Sequence, residues 1–198
     1  MGNPALTPEE HFTYRHYRTW PDDERWELIE GHAWAMSPAP KTRHQEFIWA
    51  FASLLSAFLK GKPCKAYPAP FDVLLPAGSE ADDEVATVVQ PDISVFCDKS
   101  KITERGARGA PDLIVEVLSP STSKKDLNEK FNLYEKRGVR EYWIVDPAAW
   151  SAWVYRLEQG GRFDSGELRE RLADVSPIAS KVLEGFVVDL DELFAGLG

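Results

Sequence analysis

Residues Leu113-Ile114-Val115-Glu116-Val117-Leu118 form a six-residue run in which every position but one is apolar. Neighbouring side chains on a strand point to opposite faces, so such a run is greasy on both and needs packing layers above and below. A half-solvated sheet is thereby excluded, and an α/β or α+β chain with a mixed sheet is indicated. The exception is a carboxylate. Burying it unpaired costs on the order of several kcal/mol even after relaxation, so Glu116 must be protonated, salt-bridged or ligating a cation.

A second carboxylate narrows these choices. Gln90-Pro91-Asp92-Ile93-Ser94-Val95-Phe96 places Asp92 at the mouth of another apolar run, directly after a proline that cannot donate to a ladder. A turn-forming aspartate after proline is the plain structural account. If the two strands are neighbours, however, Asp92 and Glu116 can converge on a divalent cation, because a hard metal such as Mg²⁺ takes one or two carboxylates and completes its shell with water and phosphate oxygens.

The remaining elements follow from periodicity and punctuation. Trp26 to Ile29, Glu30-Gly31 and His32 to Met36 read as a hairpin, closed by Ser37-Pro38-Ala39-Pro40. Thr42 and Gln45 match a capping box, and Phe47, Ile48, Phe51, Leu54, Leu55 and Phe58 share one face, which predicts a core helix over 42–60. Strands are predicted over 71–75, over 85–96 with a break at Pro91, and over 112–118. A second helix over 124–137 carries Leu127, Phe131 and Tyr134 at i, i+4 and i+7 and ends at Gly138. Strands over 141–145 and 152–157 and a short terminal helix over 189–197 complete the chain. Glu80 to Glu84 lacks the ligand spacing of a calcium loop and reads as a solvated insert.

The 198 residues suit a single domain, with 1–12 as its loose end. Residues 1–12 contain no apolar stretch of a secretory signal, and the longest greasy segment, 47–59, is too short to span a bilayer, so a cytoplasmic protein is expected. Cys64 and Cys97 have no metal-ligand spacing and are expected as free thiols. The net charge of −9 excludes indiscriminate coating of nucleic acid. It is unevenly spread: residues 99–140 hold 10 Lys or Arg against 6 Asp or Glu, a local excess of +4 around Glu116.

Pro91-Asp92 followed by Glu116 on the next apolar strand resembles the PD-(D/E)XK nuclease superfamily. More narrowly, WELIEG, MSPAP followed by His44-Gln45, Phe71-Asp72-Val73, QPDISVF and the stretch PDLIVEVLSPSTSKKDLNEKFNLYEKRGVREYWIVDP resemble the Uma-type restriction endonucleases of bacteria, in order from Trp26 to Leu157. The resemblance implies a restriction endonuclease-like core of helix, strand, strand, strand, helix, strand, with the N-terminal hairpin and extra C-terminal strands appended. It implies Asp92 and Glu116 as Mg²⁺ ligands, with Mn²⁺ as a substitute, activating water against a phosphodiester of DNA. A homodimer would cut both strands of a duplex.

One position departs from the superfamily pattern: Leu118 stands where a lysine is wanted. Some superfamily members supply that cation from the following helix, and Lys130 is the candidate, although Asp126 at i−4 offers it an ordinary helical salt bridge. Lys124 and Lys125 suit phosphate contacts. Asp72 is a weaker candidate for a third carboxylate, and His44 for a phosphate contact, with packing the more ordinary account. Glu27 and Glu30, flanking the hairpin, are expected to face solvent, and Trp49, Trp143 and Trp153 to lie in the core. Two other functions stay open: a nuclease fold that lost catalysis with its lysine and now binds DNA or protein, and a metal-dependent phosphodiesterase of small nucleotides.

Overall fold

The computed structural model describes residues 10–21, 23–36, 42–119, 126–171 and 177–195. In chain order it contains α1 (Tyr14–Tyr17), β1 (Trp26–Ile29), β2 (His32–Ala35), α2 (Thr42–Leu59), β3 (Lys65–Pro68), β4 (Val73–Leu74), β5 (Val88–Val89), β6 (Ile93–Phe96), β7 (Ile102–Thr103), β8 (Gly106–Arg108) and β9 (Leu113–Val117). A π-helical turn over Asp126–Lys130 then leads into α3 (Phe131–Arg137), followed by β10 (Glu141–Asp146), β11 (Ser151–Arg156), β12 (Glu167–Glu170), β13 (Ile178–Ala179), β14 (Val187–Val188) and α4 (Leu190–Ala195).

Two six-stranded sheets carry the fold, in the orders β2-β1-β5-β4-β8-β7 and β12-β11-β10-β9-β6-β3. The second is mixed, with β9 parallel to β10 and antiparallel to β6. Its strand β9 has a layer on each side, as its sequence requires. Leu113, Val115 and Val117 pack with Phe47, Phe51 and Leu55 of α2, while Ile114 packs with Val73, Val89 and Leu133 from the first sheet and α3. At roughly 25 cal/mol per Å² of apolar surface, each fully buried large side chain contributes about 1.5–3 kcal/mol, so this double packing fixes β9 firmly.

The break at Pro91 turns out to be a change of sheet. β5 belongs to the first sheet and β6 to the second, so Gln90-Pro91-Asp92 crosses between them. The core order α2, β3, β6, β9, α3, β10 is the expected one, but its first strand is not the expected one. β3 takes that place, whereas the apolar run at 71–75 contributes only Val73–Leu74 to the first sheet. An edge strand that reads Lys-Ala-Tyr-Pro has neither alternation nor a buried face to betray it.

Other expectations are corrected as well. Cys64 and Cys97 are joined in a disulfide and are not free thiols. β3 and β6 pair antiparallel with Lys65 opposite Phe96, so continuing the register by one residue sets the two cysteines face to face, a pairing that spacing alone does not reveal. Trp49 is 78% exposed on the outer side of α2, two residues from both Phe47 and Phe51 and hence on the opposite helix face. Trp143 is fully buried and Trp153 packs at the edge of the second cluster. Helix α3 ends at Gly138, whose φ of +82° suits the left-handed cap that only glycine adopts without penalty. Among the described residues no helix is long and apolar enough to cross a membrane.

Candidate active site

Glu116 lies on the same face of β9 as Ile114, turned toward the first sheet and α3, and is 2% exposed. Its Oε1 is 2.6 Å from the Nζ of Lys130 and accepts a hydrogen bond of 2.8 Å from the hydroxyl of Tyr134. Lys130 and Tyr134 are four residues apart across the junction of the π turn with α3, so both reach one carboxylate. Burial, followed by the charge of Glu116, holds the Tyr134 phenol well above its ordinary pKa, so its proton stays available for donation.

Lys130 is itself 3% exposed, and its ammonium is shared. The second partner is Glu27, whose Oε1 lies 3.1 Å from Nζ. Glu27 does not face solvent as its place beside a hairpin turn suggests; it is 1% exposed. Period-2 alternation explains why. Ile29 packs into the cluster under α3, and Glu27, two residues earlier on β1, shares its face. Glu30 behaves as expected: half exposed, it pairs with Lys136, and that hydrogen bond draws its carboxyl below the ordinary pKa.

Asp92 arrives from the neighbouring strand. β6 and β9 pair with Ile93 opposite Val115, and continuing that register by one residue sets Asp92 opposite Glu116. The backbone N–H of Val117 donates to Asp92 Oδ2 at 2.8 Å. His44, from the first turn of α2, closes the other side, with Nε2 at 3.3 Å from Asp92 Oδ2 and 3.0 Å from the carbonyl oxygen of Val117. Facing two acceptors, that nitrogen carries its proton and donates. The Asp92 side chain is 18% exposed.

Two of the candidate residues, Glu116 and Lys130, are in contact, and the strand register sets Asp92 beside Glu116. Asp72 is not among them. It accepts hydrogen bonds from the Tyr17 hydroxyl at 2.9 Å and the Gln90 side-chain amide at 2.8 Å. Through the Gln90 backbone N–H, which donates to Glu27 Oε1 at 2.9 Å, this outer network still touches the site. Lys124 and Lys125 lie outside the described residues, as does the side chain of Asp126. Much of the positive charge of 99–140 is engaged internally: Arg108 with Asp82, Arg137 with Glu30, Arg140 with Asp112, and Lys101 with the carbonyl of Ala110. Lys99 and Arg105 remain exposed.

Asp92 and Glu116 are the carboxylates that could hold a metal ion here. Among the described residues no group of three or more His, Cys, Asp and Glu side chains is arranged to hold a metal by itself. Mg²⁺ would need no such group, because it keeps several waters and takes few protein ligands, whereas Zn²⁺ and Ca²⁺ take more.

Three likenesses bear on the site. The Uma2 family model, described as "Putative restriction endonuclease", matches residues 14–191. An uncharacterized protein of Synechocystis sp. is 26% identical over 159 residues, spanning 80% of this chain and 77% of that protein. A crystal structure described as a putative nuclease belonging to DUF820 from Anabaena variabilis superposes with a TM-score of 0.72 at 22% identity, covering 94% of this chain and 99% of that one, which establishes the likeness of fold.

Proposed function

The chain belongs to the Uma2 family, and from that premise we propose that it is a Mg²⁺-dependent endonuclease that hydrolyses phosphodiester bonds of DNA, with Asp92, Glu116 and Lys130 as its catalytic residues. The observation that carries this reading is the meeting of Lys130 with Glu116 at 2.6 Å, beside the position to which the β6–β9 register brings Asp92. Position 118 is a leucine packed at the edge of the second cluster, and the cation that the site needs comes instead from the turn before α3.

Asp92 and Glu116 are the groups that would hold the metal. When bound, Mg²⁺ lowers the pKa of a coordinated water and offsets charge on the scissile phosphate. Asp92 is oriented by the Val117 N–H and by His44, so its carboxylate is fixed before any ligand arrives. Lys130 contributes a fixed ammonium whose donors can steady the attacking water or the charge that develops on phosphorus. The two carboxylates repel a phosphodiester, so DNA binding at this site depends on the cation, and a homodimer would present two such sites to the two strands.

The test is nicking of supercoiled plasmid with Mg²⁺ or Mn²⁺, against an EDTA control. Asp92→Asn and Glu116→Gln should abolish metal-dependent nicking while near-UV circular dichroism stays native. Undiminished nicking in both variants would overturn the assignment. The deep burial of Glu27, Glu116 and Lys130 favours one rival, a catalytically degenerate nuclease fold in which the charges serve structure and the surface binds DNA or protein. That rival predicts binding without metal-dependent nicking by the wild-type protein.

A further inference from the structure

The charge cluster around Lys130 contains one carboxylate more than the catalytic reading uses. Glu116 alone neutralises the lysine, at 2.6 Å and with a hydrogen bond from Tyr134. Glu27 adds a second negative charge at 3.1 Å, and the three side chains are between 1% and 4% exposed. Two carboxylates thus converge on one ammonium in a dry setting, which simple packing would not select, since apolar side chains of similar volume are commonly as stabilising there. The same Oε1 of Glu27 also accepts the N–H of Gln90, two residues before Asp92. A single oxygen thus holds both Lys130 and the backbone that leads into Asp92.

We propose that Glu27 is a positioning residue that keeps the ammonium of Lys130 at the site when Glu116 gives up its hold on it. A cation drawing on Glu116 competes with Lys130 for the same carboxylate. Without a second acceptor, the lysine would lose a charge partner in surroundings that offer little water and would leave the site. With Glu27 in place it shifts its weight from one carboxylate to the other and stays within reach of the reacting phosphate. The purpose assigned to this hold rests on Glu116 being a cation ligand, whereas the hold itself is a property of the chain.

The experiment is a ¹⁵N correlation spectrum of lysine-labelled protein, in which a buried, hydrogen-bonded ammonium gives an exchange-protected signal, assigned to Lys130 by its loss in Lys130→Arg. In Glu116→Ala the contact of Lys130 with Glu27 remains, so the signal should persist, and it should vanish in Glu116→Ala/Glu27→Gln. Its loss already in Glu116→Ala overturns the proposal. Should the double variant not fold, Glu27→Gln is titrated with Mg²⁺: it should lose the signal where wild type keeps it, and loss from both proteins on titration overturns the proposal. In plasmid nicking, Glu27→Gln should lower kcat about 10- to 100-fold with KM nearly unchanged, whereas a purely structural role would reduce the folded fraction and leave kcat per folded molecule alone. If neither protein responds to Mg²⁺ but the signal persists in Glu116→Ala, the metal-dependent reading fails and the hold of Glu27 on Lys130 stands.

Discussion

The ammonium of Lys130 lies 2.6 Å from Oε1 of Glu116, joining a turn before α3 to β9, an inner strand of the second sheet. Because Glu27 shares that ammonium, Lys130→Met takes a buried positive charge from two carboxylates. Breaking a buried pair in this way costs about 3–5 kcal/mol, mostly as the penalty of uncompensated charge. Urea unfolding should show a loss of that order, and the triple variant Glu27→Gln/Glu116→Gln/Lys130→Met should recover most of it. A loss under about 1 kcal/mol would mean that water reaches the cluster readily.

Tyr134 gives a second handle on the same carboxylate. Its phenol is held protonated by burial and by Glu116, so it remains a donor to that carboxylate. Tyr134→Phe removes that donor while keeping the ring that packs edge-on against Tyr142. A hydrogen bond to a charged group is worth about 1.5–3 kcal/mol, and the loss should be smaller in a Glu116→Gln background. Equal losses in the two backgrounds, measured as a double-mutant cycle, would place the effect of the hydroxyl elsewhere.

The sequence made Glu116 legible because a single carboxylate in an otherwise apolar strand has few ways to exist, and Asp92 because proline broke the strand before it. Lys130 needed the resemblance, since nothing local distinguishes it from a surface lysine on a helix. Glu27 was missed although its signal was present: Ile29 faces inward, and alternation takes Glu27 with it. β3 was illegible for the opposite reason. As an edge strand it is polar, short and proline-ended, so its pairing with β6 is dictated by tertiary contact and not by its own pattern. The cysteine pair depends on that same register and was hidden with it.

Acid should weaken the tie between the hairpin and α3. Glu30 pairs with Lys136, whose hydrogen bond lowers the carboxyl pKa below its ordinary 4.5. A lowered folded value means that the pair's contribution is complete above the ordinary value and is lost as pH falls through the lowered one. Lys136→Met should therefore reduce Tm by a constant amount at neutral pH, and the difference from wild type should fade as the solution becomes more acidic. The pair is half exposed, so the difference should also shrink in high salt. A difference that grows in acid would contradict the assignment.

The disulfide between Cys64 and Cys97 closes 33 residues of chain that include β4, β5 and the sheet-crossing turn at Pro91. Closing a loop of that length restricts the unfolded chain by about 3–4 kcal/mol on the loop-entropy account. Cys64→Ser/Cys97→Ser should lose stability of that order in urea, and a thiol reductant should bring wild type to the same midpoint. The site should be spared. Asp92 hangs by its carboxylate from Val117 and His44, at the far end of β6 from Cys97, and Glu116 is held by Lys130 and Tyr134 from the helical side. Metal-dependent nicking at low temperature should therefore survive reduction. Loss of nicking with the fold intact would show instead that strand β3, which reaches Asp92 through the Ala69 N–H, depends on the disulfide to keep the carboxylate in place.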